Sequence, residues 1–165
     1  MHFARILVPT DFSTSAASAI EVAVALAAQV GGSIDLVHVF NPPALMLPDG
    51  STFVASPMAL CQASEHADVA MAEATRAIEK IVGGRVRVGG YTRIGPAVDE
   101  IVRLASSGEY DVVVMGTHGR TGVGRLLLGS VAEGVMRRSP IPVITTRQPA
   151  SPSARVDVAP PASPA

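Results

Sequence analysis

The chain has 165 residues, enough for one domain of ordinary size and too few for two. Apolar residues make up 48% and aromatics 4%, with no Trp, so the core must come from Ala, Val, Leu and Ile, as suits Ala-rich helices on a Val-rich sheet. A formal net charge of −1 gives no global basic field and argues against nucleic acid as a partner, and a single cysteine, Cys61, excludes an intramolecular disulfide framework and a multi-Cys metal cluster.

The N-terminus lacks the charged segment and long apolar run of a signal peptide, and no stretch approaches the roughly 20 apolar residues of a membrane span. The reading is a soluble, cytoplasmic protein with no membrane partner. Phe3 to Val8 is a short apolar run ended by Pro9, a buried strand that leads into Thr10-Asp11-Phe12-Ser13. Ser13 or Thr14 then caps a helix whose inner face is Ala16, Ile20, Ala23, Val24, Ala27 and Val30, and Gly31-Gly32 stops it. Ile34 to Phe40 is a second strand, ended by Asn41-Pro42-Pro43. Two strands joined by a helix form a right-handed crossover with the strands parallel.

Asn41 to Ala55 shows no clean period and reads as a long irregular connection. Ser56-Pro57 is a helix cap with Pro at the first helical position; Ala59, Ala63, Ala67, Ala70, Ala74, Ile78 and Ile81 mark the stripe of a long second helix ending at Gly83-Gly84. Arg85 to Ile94 alternates as a half-exposed edge strand, with a bulge or bend at Gly89-Gly90. Gly95-Pro96 opens a third helix with Val98, Ile101, Val102 and Ala105 inward. A strand over Val112 to Met115, a helix from about Ser130 to Arg138 and a last strand within Ser139 to Thr146 follow. Residues 148–165 are Pro, Ala and Ser-rich, too poor in periodic apolar positions to pack, so the reading is a domain over 1–147 and a disordered tail.

Five strands alternating with four helices imply a three-layer α/β/α fold, a five-stranded parallel sheet of order 3-2-1-4-5 in the Rossmann-like nucleotide-binding class. Ligands of such sheets sit beyond the carboxyl ends of the strands where the order reverses, here between the first and fourth. That sets Pro9-Thr10-Asp11 opposite the stretch Gly116 to Ser130. Glycines let the main chain approach a ligand, a helix opening at Ser130 aims N–H groups at the same space, and His118, Arg120 and Arg125 fall in a segment without an acidic residue between Asp111 and Glu133. An anion, and best a polyphosphate, fits this pattern. A P-loop does not, because the only lysine is Lys80, on the second helix; nor does a dinucleotide fingerprint, because the loop after the first strand has no glycine.

The remaining pattern is Gly116, Gly119, Gly129 and Ser130: Gly-x-x-Gly, nine residues, Gly-Ser. Together with Ile6-Leu7-Val8-Pro9-Thr10-Asp11-Phe12-Ser13, Leu36-Val37-His38-Val39, Gly95-Pro96 followed by Ile101, Leu128-Gly129-Ser130-Val131-Ala132-Glu133 and Pro140-Ile141-Pro142-Val143, it resembles the ATP-binding universal stress proteins over about residues 3 to 147. The resemblance implies that Asp11 hydrogen-bonds the nucleoside, that Pro9 and Thr10 shape the floor beneath it, and that Val39 meets adenine through its main chain. Gly116, Gly119, Gly129, Ser130 and Val131 would hold ribose and phosphates through backbone N–H groups, with Met115, His118 and Arg120 completing the expected site. It further implies ATP, with any Mg²⁺ arriving on its phosphates, and a homodimer through antiparallel pairing of the Ile141 to Thr146 edge strand.

No nucleophile, base and orienter stand at a suggestive spacing. Ser13, Ser15 and Ser18 read as capping and helix-surface residues, and His2, His38 and His66 as structural, with no metal site. The expected function is thus an ATP-binding stress-response or signalling module with little or no catalysis. A slow ATPase or a nucleotidyl or phosphoryl transferase on the same fold, and an interaction module that ignores nucleotide, are the alternatives.

Overall fold

The structure is a computed structural model and describes residues 3–41, 44–46, 52–54, 56–117 and 128–147. Its chain order is β1 (Arg5–Pro9), α1 (Thr14–Val30), β2 (Ser33–Phe40), β3 (Ala44–Met46), β4 (Thr52–Val54), α2 (Pro57–Val82), β5 (Arg87–Ile94), α3 (Ala97–Ala105), β6 (Val112–Gly116), α4 (Ser130–Arg138) and β7 (Val143–Thr146). Five strands form one parallel sheet in the order β5-β2-β1-β6-β7, the arrangement expected for the five long strands. β1 is central, and Ile6, Leu7 and Val8 are wholly buried, each side chain contributing about 1.5–3 kcal/mol of burial. On one face Ile6, Val8, Leu36, Val112 and Val114 pack with α1 and α2 residues; on the other, Leu7, Val37, Val113 and Met115 pack with α3 and α4 residues.

Local signals set most boundaries. Ser13 caps α1 by accepting from the Ala16 N–H at 3.2 Å, and Gly31 closes the helix in the left-handed region at φ 66°. Ser56 likewise accepts from the Ala59 N–H at 3.2 Å, with Pro57 in the first turn, and Gly83 closes α2 at φ 58°.

Several sequence expectations need correction. The connection after β2 is not irregular throughout: β3 and β4 form an antiparallel hairpin in the register Ala44↔Val54, Leu45↔Phe53, Met46↔Thr52. The α2 stripe is buried at Ala67, Ala70, Met71, Ala74, Ile78 and Val82, while Ala59, Ala63 and Ile81 are exposed. A 26-residue helix is about 39 Å long, whereas eight strand residues span about 26 Å, so the first turns of α2 run past the sheet. β5 is an edge strand as expected, but it pairs with β2 without interruption from Ser33↔Arg87 to Phe40↔Ile94, so Gly89-Gly90 makes no bulge. A Cβ at Gly90 would stand 2.5 Å from Thr75 Oγ1 and 2.8 Å from Met71 Sδ, and one at Gly89 would collide with the Asp35 carboxylate; glycine is there to let α2 and Asp35 close in. In α3, Leu104 joins Ile101 and Ala105 in the core while Val102 is half-buried, and Val30 of α1 is exposed.

Candidate functional site

The carboxyl ends of β2, β1 and β6 stand side by side, and the residues that the sequence singles out lie at or next to those ends. β1 ends at Pro9, paired with Val37; the next N–H, of the buried Thr10, donates to Val37 O at 2.9 Å, and the chain then turns away from the sheet. The turn is tight. Phe12 adopts φ 61°, a rare conformation for a bulky side chain, and is the only non-glycine residue with positive φ among those described. Thr10 Oγ1 accepts from the Phe12 N–H at 3.1 Å, and Asp11 Oδ1 accepts from the Ser13 N–H at 3.0 Å. Asp11 therefore sits half-buried at the crest of a turn braced on both sides.

Val39 lies beyond the last β1 residue that pairs with β2. Amide groups of a parallel strand address its two neighbours alternately. Val37 O faces β1, through Thr10, and Phe40 O faces the β5 side, where it accepts from the Gly95 N–H at 3.0 Å. Val39 consequently turns its N–H and C=O towards the space above β1. Its side chain packs on the α3 side of the sheet, so a ligand would meet its main chain.

β6 ends at Met115 and Gly116. The Met115 side chain is buried in the core, so only its main chain can serve the site. Gly116 has a packing role that sequence did not reveal, since a Cβ there would run into Ser15 Oγ and the Ser15 carbonyl; Ser15 is buried, not a helix-surface residue. Thr117 follows, buried, donating its N–H to Thr146 O at 3.0 Å and accepting from the Gly129 N–H at 2.7 Å. Those two bonds tie β6, β7 and the start of α4 into one stem. His118, Gly119, Arg120 and Arg125 lie outside the described residues.

At α4 the cap residue Gly129 brings no side-chain hydrogen bond; its carbonyl accepts from the Glu133 N–H at 2.9 Å, and Ser130 opens the helix exposed. First-turn N–H groups that the cap residue leaves without a side-chain acceptor, at the positive end of a helix, favour an anion. The structure thus brings Pro9, Thr10, Asp11, Val39, Met115 and Gly116 to one edge of the sheet, with Gly129, Ser130 and Val131 anchored to the end of β6. Backbone donors at a helix end, a carboxylate and main-chain groups at one place can together hydrogen-bond a ligand that carries both an anionic group and hydroxyl or amino donors.

Two residues at the site escaped the reading of the sequence. His38 Nδ1 lies 2.8 Å from Thr10 O, and its ring lies 4.8 Å from that of Phe12. Thr117 acts through main-chain groups, which no residue pattern advertises. Among the described residues no group of three or more His, Cys, Asp or Glu could hold a metal ion, and no helix is long and apolar enough to cross a membrane.

Comparison with known proteins agrees with this fold. The model of the universal stress protein family matches residues 2–147. A universal stress protein of Thermus aquaticus is 33% identical over 147 residues, covering 88% of this chain and 99% of the relative. Among solved structures, universal stress protein UspA from Lactobacillus plantarum superposes with a TM-score of 0.74 at 24% identity, over 89% of this chain and 99% of that one. Two more distant structures of the same fold carry nucleotides: a universal stress protein in complex with cAMP (TM-score 0.58, 22% identity, 90% and 100% coverage) and an Arabidopsis thaliana family member with AMP bound (0.57, 18%, 88% and 92%).

Proposed function

The chain belongs to the universal stress protein family, and on that premise we propose that it binds an adenine nucleotide, ATP with Mg²⁺ on its phosphates, at the carboxyl edge of β2, β1 and β6. Binding sets the conformation or partner choice of a cytoplasmic stress-response module, and turnover is slight or absent. The observation that carries this reading is the α4 N-terminus, whose cap residue Gly129 supplies no side-chain hydrogen bond and which is tied through Gly129 and Thr117 to the end of β6, the strand paired with β1. Nucleotides held by two proteins of the same fold support the ligand class.

In this reading Val39 takes the base through its main chain, Asp11 takes ribose hydroxyls, and Pro9 and Thr10 form the floor. Gly129, Ser130 and Val131 hold phosphate with N–H groups and the Ser130 hydroxyl, joined by Gly119, His118 and Arg120 from the intervening segment. The unit that does this is residues 1–147, with 148–165 an appended tail. It works as a homodimer in which β7 of each copy pairs antiparallel across the open sheet edge.

Calorimetric titration of ATP, AMP and cyclic AMP into the wild type and Asp11→Asn tests the proposal. Asn keeps an oxygen for the Ser13 N–H and removes only the charge, so the turn is preserved. Saturable binding by the wild type, weakened about tenfold or more in the variant, is expected. Binding of none of the three nucleotides by the wild type overturns it.

A further inference from the structure

His38 stands on β2 between Val37, whose carbonyl holds the Thr10 N–H at 2.9 Å, and Val39, whose main chain faces the proposed base position. Its ring lies between two phenylalanines: the buried Phe12 at 4.8 Å between centroids, tilted 40°, and Phe40 at 6.3 Å, nearly parallel at 19°. For packing alone a third phenylalanine would serve as well. What histidine adds is the contact of Nδ1 with Thr10 O at 2.8 Å. A carbonyl oxygen only accepts, so Nδ1 carries the proton and donates.

Thr10 is therefore gripped by β2 on both of its peptide groups, N–H by Val37 and C=O by His38. Its hydroxyl in turn holds Phe12 at φ 61°. A bulky residue in the left-handed region is strained and persists only where its surroundings over-determine it. The residue caught between these constraints is Asp11.

We infer that His38 is a positioning residue of the nucleotide site: by donating from Nδ1 to Thr10 O it locks the β1 turn in the strained form that aims Asp11 at the ligand. This rests on the proposed nucleotide reading, but the lock itself exists without ligand and is testable apart from it.

The test compares His38→Phe, which keeps the ring and loses the donor, with His38→Asn, whose side-chain N–H stands where Nδ1 stood. Measurements on the full chain are ATP affinity and amide hydrogen exchange at Phe12 and Ser13 without nucleotide. The Phe variant should lose affinity and speed exchange at both amides, each about tenfold or more, and the Asn variant should restore both to near wild type. Should the Phe variant fail to fold, His38→Gln, whose amide reaches the Nε2 position instead, takes its place as the displaced donor. Nitrogen-15 shifts of His38 in the wild type should mark Nδ1 as protonated. An unprotonated Nδ1, unchanged exchange in the Phe variant, or an Asn variant as impaired as the Phe variant overturns the inference. A wild type that binds no nucleotide instead removes the proposed function and leaves exchange and the nitrogen shifts to decide the lock.

Discussion

Gly116, the last residue of β6, lies directly against Ser15 of α1, with no room between them for a Cβ. In the sequence Gly116 reads as a ligand-facing glycine; in the fold it is also where a helix closes onto the sheet. Gly116→Ala therefore destabilises the protein by about 1–3 kcal/mol, the range for overpacking a tight core. Chemical denaturation should show a lower midpoint with an unchanged slope, and a variant as stable as wild type contradicts the close approach. Substitution at Gly116 is for the same reason a poor probe of nucleotide affinity, and Asp11→Asn is a better one.

Asp111 secures the opposite end of the sheet. Its carboxylate accepts from the Ala4 N–H at 3.1 Å and the Arg5 N–H at 2.9 Å, and pairs with Arg5 Nη2 at 2.8 Å. The Arg5 guanidinium, aided by the two backbone donors, holds this carboxyl below the ordinary Asp range. A carboxyl depressed in the folded chain adds stability that is fully present above its unfolded value of about 4 and is lost as pH falls through the folded value. Asp111→Asn should thus be less stable than wild type near neutrality, with the two stability curves converging below about pH 4. Parallel curves from pH 7 down to the acid limb would contradict this.

β7 leaves one edge of the sheet open, and its alternation says which amides are available. Pro142 O accepts from the Val113 N–H and Thr146 O from the Thr117 N–H, both at 3.0 Å, so even-numbered residues address β6. Val143 and Thr145 then point their amides outward. Thr145→Pro removes an outward donor without touching the β6 ladder and should weaken self-association about tenfold or more, read by light scattering across concentration. A wild type that is monomeric at micromolar concentration contradicts the β7 dimer.

The parallel sheet was legible because Ile6-Leu7-Val8 and Val112-Val113-Val114-Met115 are continuous apolar runs, which burial on both faces explains, and because Ser13, Ser56, Gly31 and Gly83 are capping residues with local meanings. The hairpin after β2 was not legible: its strands, Ala44-Leu45-Met46 and Thr52-Phe53-Val54, are three residues each, too short to show an alternating period, so the stretch reads as an irregular connection. Nor were the outer turns of α2, because Ala59 and Ala63 keep the helical period past the point where the sheet ends. Within the site, Asp11 and the Gly129-Ser130 pair carry side-chain chemistry that sequence displays. The contributions of Val39, Thr117 and Thr10 O are made by main-chain atoms whose direction depends on strand register, and His38 acts across 28 positions on a carbonyl.

The central claim is that the β1 turn and the α4 N-terminus are two halves of one adenine nucleotide site, and amide-resolved NMR during an ATP titration tests it most directly. The account predicts saturable shifts with a single dissociation constant at Asp11 and Phe12, at Val39, and at Gly129, Ser130 and Val131. Shifts confined to one half, or none at any of these amides up to millimolar ATP, a limit of about 4 kcal/mol of binding, would contradict it.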